Sequence, residues 1–252
     1  MYFDSHAHLD DARFDGDREE IFSTLQAHGV GGIMNVGCDL PSSERSVALA
    51  ERYPFVWAAV GSHPDDADHV DGRLLDRYRA LAAQPKVKAI GEIGLDYHYE
   101  DVPRAQQIIA FEQLLELAEA LKLPVIVHER EAHADAMDIV RRHPDVRGVF
   151  HCFSGAKEMA LWLVERGWYI GFTGVLTFKN ARKAVEVAQA LPLDRILIET
   201  DCPYMAPEPY RGRRNDSRYV PLVAQKLAAL RGLTPEEAGR ITTENARRLY
   251  GI

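Results

Sequence analysis

From Tyr2 onward, short runs rich in β-branched and aromatic residues alternate with longer stretches whose apolar residues recur about every 3.6 positions. The short runs fall near residues 2–4, 32–36, 55–60, 87–93, 124–127, 148–150, 168–172 and 195–199, which makes eight strands. Between them lie helical patterns such as 107–121, where Ile108, Phe111, Leu115, Ala118 and Leu121 fall on one face and are expected to meet a core. Ser154 is placed to cap a helix that contains Met159 and Val164 and stops at Gly167, and Thr234-Pro235-Glu236-Glu237 has the form of a capping box that opens a last helix.

Strands that alternate with helices imply parallel strands joined by crossovers. Eight such units in 252 residues match the usual size of a (β/α)8 TIM barrel. A doubly wound open sheet is the competing arrangement. It fits less well because the first strand runs into Ser5-His6-Ala7-His8 rather than into a glycine-rich phosphate loop. No linker, repeat or low-complexity stretch divides the chain, so one domain spanning 1–252 is expected.

Composition narrows the function classes. No apolar run approaches the ~18 residues of a membrane span, and the N-terminus has no basic segment followed by an apolar one, so no membrane association and a cytoplasmic location are expected. Three cysteines, Cys38, Cys152 and Cys202, argue for reduced thiols rather than a disulfide framework. The net charge of -8 argues against a general electrostatic grip on nucleic acid, so any polyanion is expected to be held locally.

Residues with metal-ligand chemistry collect directly after the strands: His6 and His8, then His63, Glu92, His128, His151 and Asp201. Catalytic groups of a barrel occupy that end. Side chains two apart on an extended segment point the same way, so His6 and His8 can reach one ion. Mixed imidazole and carboxylate donors suit borderline divalent ions better than a purely oxygen-ligated magnesium. Six ligands exceed what one four-coordinate ion needs, which suggests two ions bridged by a carboxylate, and Glu92 lies midway in the set.

The segments Asp4-Ser5-His6-Ala7-His8-Leu9-Asp10, Gly91-Glu92-Ile93-Gly94-Leu95-Asp96-Tyr97, His128-Glu129-Arg130, His151-Cys152-Phe153-Ser154-Gly155, Thr177-Phe178-Lys179-Asn180-Ala181, Glu199-Thr200-Asp201-Cys202-Pro203-Tyr204, Arg211-Gly212-Arg213-Arg214-Asn215 and Asn245-Ala246 together resemble the TatD family of metal-dependent hydrolases, from end to end. The resemblance implies an amidohydrolase-like barrel. In it His6, His8, Glu92 and Asp201 hold one divalent ion, and Glu92, His128 and His151 hold a second (Mg, Mn or Zn). It implies hydrolysis of DNA phosphodiesters, with RNA as a further substrate, by a hydroxide that the two metals activate. Asp201 serves as general base, Glu92 as bridge, and cutting proceeds as a 3'-5' exonuclease on single-stranded DNA or 3' ends. Two ions against two carboxylates leave a local excess of about two positive charges, enough to hold a phosphodiester on an acidic protein.

His63 and Arg130 are candidates for binding substrate, and Lys179 and Arg211 to Arg214 for lining a phosphate path. Glu199 is read either as orienting a ligand or as a buried structural carboxylate, and Asp96 as buttressing the site or capping its loop. Cys152 and Cys202 are expected to be small packed thiols, because neighbours on a strand point oppositely to the ligands they follow. His28, His69, His98, His133 and His143 are assigned no role. Two positions depart from the family pattern: Glu131 stands where an aspartate is usual, and His98 where a second aromatic is common. The competing functions are a metal-dependent amide or ester hydrolase, such as an aminoacyl-tRNA deacylase, and a metal-binding barrel without turnover. A monomer without an obligate protein partner is expected.

Overall fold

A computed structural model describes residues 1–99 and 101–252. Eight strands appear: β1 (Tyr2–Ala7), β2 (Val30–Val36), β3 (Val56–Val60), β4 (Val87–Asp96), β5 (Val125–Arg130), β6 (Gly148–Phe150), β7 (Tyr169–Phe172) and β8 (Ile196–Ile198). They lie in one sheet in sequence order, β1 to β8, and the pairings are parallel. Helices follow the strands: α1 (Arg18–Thr24), α2 (Leu40–Arg52), α3 (Gly72–Ala82), α4 (Arg104–Leu121), α5 (His133–Arg142), α6 (Lys157–Glu165), α7 (Arg182–Ala190), α8 (Val220–Arg231) and α9 (Pro235–Tyr250). The fold is a (β/α)8 barrel, as the alternation of patterns implies. Among the described residues no helix is long and apolar enough to cross a membrane.

By compactness the chain divides into two units, Met1–Asn35 with Cys152–Ile252, and Val36–His151. In the first, the polypeptide after β8 returns beside β1. The Asp201 N–H donates to the His6 carbonyl at 2.9 Å, the His8 N–H to the Cys202 carbonyl at 2.9 Å, and Ala7 and Cys202 form a parallel bridge. α8 and α9 pack on each other and on β1, burying Val223, Ala224, Leu227 and Ala246. In the second unit the long β4 is buried along nearly its whole length, and α4 lays Phe111, Leu114, Leu115 and Ala118 against it.

The capping box at Thr234 forms in both directions: Thr234 Oγ1 accepts from the Glu237 N–H at 3.2 Å, and Glu237 Oε2 from the Thr234 N–H at 2.8 Å. Gly167 adopts φ +86° just beyond α6 and ends it as expected. Ser154 is not its cap: α6 starts three residues later at Lys157, and the N-cap position is Ala156, whose side chain makes no cap bond. Ile108 and Leu121 are only half-buried, and the apolar stripe of α4 takes in Ala110, Leu114 and Leu117 instead.

The largest departure concerns strand ends. β1, β4 and β5 run on to Ala7, Asp96 and Arg130, so His6 and His128 stand within strands rather than after them, and β4 continues past the expected end at Ile93. The reason is nonlocal, since ladder pairs such as Gly94 with His128 and Asp96 with Arg130 prolong β4 and β5 together. Gln107 then ends β4. Its Oε1 accepts from the Asp96 N–H at 2.9 Å, and its Nε2 donates to the carbonyls of Asp96 and Val102, each at 2.9 Å.

Two outcomes follow from these contacts. Thr234→Ala removes one arm of an exposed capping box and is expected to cost about 1 kcal/mol, read as a fall of roughly 2–4 °C in Tm. Gly94 has φ +143°, and a Cβ there would lie 2.0 Å from the His128 carbonyl oxygen. Gly94→Ala is therefore expected to destabilise by at least about 2 kcal/mol in urea unfolding and to weaken metal binding with it. Wild-type stability in that variant would disprove the tight approach.

Candidate metal centre

In the first unit His6 stands in β1 and His8 just beyond its end at Ala7. Their Nε2 atoms lie 3.0 Å apart, and Asp201 Oδ1 lies 3.8 Å from His6 Nε2 and 3.4 Å from His8 Nε2. Donors that share one ion at metal–ligand bonds of about 2.0–2.1 Å are separated by about 2.9 Å for right-angle bonds and 3.4 Å for tetrahedral ones. The His6–His8 and His8–Asp201 pairs have that spacing while His6 and Asp201, at 3.8 Å, stand slightly wider, and two imidazoles with a carboxylate are a donor set for a borderline divalent ion. Asp201 reaches its place in a left-handed backbone conformation, φ +55°, which a non-glycine residue adopts only when its surroundings impose it. The backbone bonds to His6 and from Tyr204 to the Asp201 carbonyl supply that constraint.

Three side chains brace this segment. Asp4, fully buried, accepts from the Thr200 N–H at 2.9 Å and from Thr200 Oγ1 at 2.6 Å, and so ties the residue before Asp201 to β1. Burial pushes its carboxyl up to about 7, against the hydrogen bonds from Ser217 and Thr200 and with the help of the Glu199 charge. Asn35 Oδ1 accepts from the Leu9 N–H at 2.7 Å and fixes the turn after His8. Asn215 Nδ2 donates to the carbonyls of Thr200 and Tyr204 at 2.8 and 2.6 Å.

Glu199 is buried and accepts from the Cys152 N–H at 2.6 Å and from Ser5 Oγ at 3.3 Å. It therefore holds backbone in place directly after His151. Cys202 is wholly buried, with its thiol pKa raised by desolvation, as expected of a packed thiol. Cys152 is only partly buried, and it lies in a turn at φ +42°, so strand alternation is not what orients it.

In the second unit Glu92 is the centre. Its Oε1 lies 2.9 Å from His128 Nδ1 and 2.7 Å from His151 Nε2, and those two nitrogens are 3.3 Å apart. His63 Nε2 lies 3.9 Å from the same oxygen, and His63, Glu92 and His128 form a group able to hold an ion. His63 also caps the short turn Pro64–His69, its Nδ1 accepting from the Asp65 N–H at 3.2 Å. The other face of His128 meets Asp96, which also caps the loop: Nε2 lies 3.0 Å from Asp96 Oδ2, while Oδ1 accepts from the His98 N–H at 2.8 Å. Burial opposes ionisation of Asp96, but the bonds to His128 and the loop amides outweigh it and hold the carboxyl down at about 2. His128 shifts the opposite way: desolvation lowers its pKa, and the bonds to Asp96 and Glu92 more than reverse this. A carboxylate on the far nitrogen of a ligand histidine fixes its tautomer and ring orientation.

Arg130 ends β5 with its guanidinium 5.1 Å from the centre of the Tyr99 ring. The two residues that depart from the family pattern meet each other, with His98 Nδ1 and Glu131 Oε1 2.9 Å apart. Asp4, Asn35, Gln107 and Asn215 carry supporting roles that the sequence reading did not assign. The only local hint for Asp4 and Asn215 was their place inside the quoted motifs.

The TatD related DNase family matches residues 3–251 of the chain. An uncharacterized metal-dependent hydrolase, YabD of Bacillus subtilis, is 43% identical, covering 100% of both chains. The 3'-5' ssDNA/RNA exonuclease TatD of Citrobacter rodentium is 35% identical over 99% of this chain and 98% of its own. Among solved structures, the TatD homologue YJJV of Escherichia coli K12 superposes with a TM-score of 0.93 at 32% identity, covering 100% of this chain and 98% of the other. The clusters around His6 and Glu92, the barrel that carries them and these full-length likenesses make one case: the chain belongs to the TatD family of metal-dependent hydrolases.

Proposed function

We propose that this enzyme hydrolyses phosphodiester bonds of DNA, and of RNA as a further substrate, from the 3' end of single strands, with two divalent ions. The observation that carries the reading is the convergence of Glu92 Oε1, His128 Nδ1 and His151 Nε2 within 2.7–3.3 Å of one another. The spacing of His6, His8 and Asp201 supports a second ion in the same way. Bound there, such ions supply Lewis-acid chemistry that acidifies water and neutralises charge on a phosphoryl group. Asp201 takes the proton of the attacking water, its carboxylate held by the His6 and Tyr204 backbone bonds. Asp96 keeps His128 Nδ1 directed at Glu92. His63 and Arg130 contact the substrate phosphates, Arg130 from the strand that bears His128. Polarity and the choice of nucleic acid are supported by likeness to relatives named as 3'-5' ssDNA/RNA exonucleases.

The test compares wild type with Glu92→Ala and Asp201→Ala on 3'-labelled DNA, RNA and aminoacylated tRNA in Mg, Mn or Zn, with metal content measured alongside. Both variants are expected to lose strand cleavage by about 100-fold or more. Near wild-type cleavage by both would overturn the two-ion reading, and loss confined to tRNA deacylation would move the substrate to an acyl ester. Asp96→Asn keeps the shape but weakens the hold on His128, so a 10- to 100-fold loss of metal affinity or activity is expected in metal titration. An unchanged titration would reduce Asp96 to a loop cap.

A further inference from the structure

The loop that leaves Asp201, residues 201–216, carries two aromatic side chains followed by three basic ones: Tyr204, Tyr210, Arg211, Arg213 and Arg214. Its arginines have different fates. Arg214 is spent internally, bonded to the Asp17 carboxylate and, at 2.6 Å, to the Arg13 carbonyl. Arg13, which reaches this loop from after β1, is also spent, held by both oxygens of Asp11 at 2.8–2.9 Å. Arg211 and Arg213 are exposed and make no ion pair among the described residues; the Arg211 guanidinium sits 4.2 Å from the centre of the Phe178 ring.

Tyr204 is half exposed, yet it is fixed. The Arg13 guanidinium lies 4.4 Å from its ring centre, and Arg13 Nη2 donates to its hydroxyl at 2.6 Å. Its N–H and carbonyl are bonded to the Asp201 carbonyl and to Asn215 Nδ2. One side of the ring is thus clamped by a cation that is itself neutralised, while half of the residue remains open to solvent. Only Cys202 and Pro203 lie between it and Asp201, so the Cα atoms of Tyr204 and Asp201 are at most about 11 Å apart. A rigid, solvent-facing ring beside the reacting group, followed by uncommitted guanidinium groups, is the pattern that holds single strands: bases stack on the ring and phosphates meet the arginines.

We propose that Tyr204 stacks a base of the bound strand next to the bond that is cut, and that Arg211 receives a phosphate further along the same strand. The inference rests on the nuclease reading and deepens it. A base inside a duplex has both faces covered by its neighbours, so the subsite selects unpaired strands. It also accounts for nucleic-acid binding by a chain of net charge -8, because only a few uncommitted cations beside the centre need to act.

The experiment measures binding of a fluorescent single-stranded phosphorothioate oligonucleotide to the metal-loaded protein by anisotropy, and hydrolysis of bis(p-nitrophenyl) phosphate, which is too small to span both positions. Tyr204→Ala is expected to raise the oligonucleotide Kd by about 5- to 100-fold, and to raise the KM of the small diester by a smaller factor. Tyr204→Phe, which keeps the ring, restores most of the strand affinity. Arg211→Ala is expected to lower the slope of log Kd against log salt by about 0.7, whereas Arg240→Ala on α9, remote from the loop in sequence, leaves the slope unchanged. Absence of strand binding, equal losses on both substrates, or a Kd indifferent to Tyr204→Ala would overturn the proposal. Intact, ring-dependent binding without cleavage of an unmodified strand would instead refute the nuclease reading and leave this subsite standing.

Discussion

The convergence of His6, His8 and Asp201 in the Met1–Asn35 and Cys152–Ile252 unit depends on two backbone hydrogen bonds between chain segments almost 200 residues apart: Asp201 N–H to the His6 carbonyl and His8 N–H to the Cys202 carbonyl. They continue the parallel pairing past the point where β8 ends at Ile198. Because the bonded groups belong to His6, Asp201 and the residues beside them, the pairing that extends the sheet also brings the His6, His8 and Asp201 side chains together. The arrangement demands an unusual backbone at Asp201, φ +55°, and the protein supports it with Asp4 beneath Thr200 and Asn215 across the loop. A buried carboxyl such as Asp4, pushed up toward 7, is an expensive support, which is consistent with its fixing geometry rather than adding stability.

The central unit reaches the same end by side chains. Asp96 holds His128 with one oxygen and the loop amides of His98 and Tyr99 with the other. Gln107 in turn holds both backbone groups of Asp96. His128, the end of its neighbouring strand and the following loop are thereby coupled through one carboxylate. Gly94 belongs to the same device, since only a residue without a Cβ lets β4 approach the His128 carbonyl.

The eight strands, the α9 capping box and the residues whose side chains converge in each unit were legible in the sequence, because local period, cap chemistry and motif each act over a few residues. What was not legible is set by partners far away in the chain. The ends of β1, β4 and β5 follow from ladder pairs, so the pattern stopped short of His6, Asp96 and Arg130. Ser154 had the right chemistry for a cap, but α6 begins three residues later, so a local signal named a position the helix does not use. His98 and Glu131 looked like two separate departures from the family pattern, and only the structure shows that they touch.

Charge illustrates the same limit most sharply. Counting basic residues in the segment 211–218 suggests a run of four arginines, yet two of them are already neutralised: Arg214 by Asp17 and Arg218 by both oxygens of Asp216. Asp17 lies 197 positions from Arg214, so no window along the sequence could have removed it from the count. The Arg214–Asp17 pair is half-exposed and contributes little to stability, whereas Asp216 is buried beneath Arg218. The effect of both pairs is to anchor the loop and to leave Arg211 and Arg213 as its uncommitted cations among the described residues. A net charge of -8 is therefore compatible with a polyanionic substrate, because the relevant quantity is the number of cations beside the centre that no carboxylate has claimed.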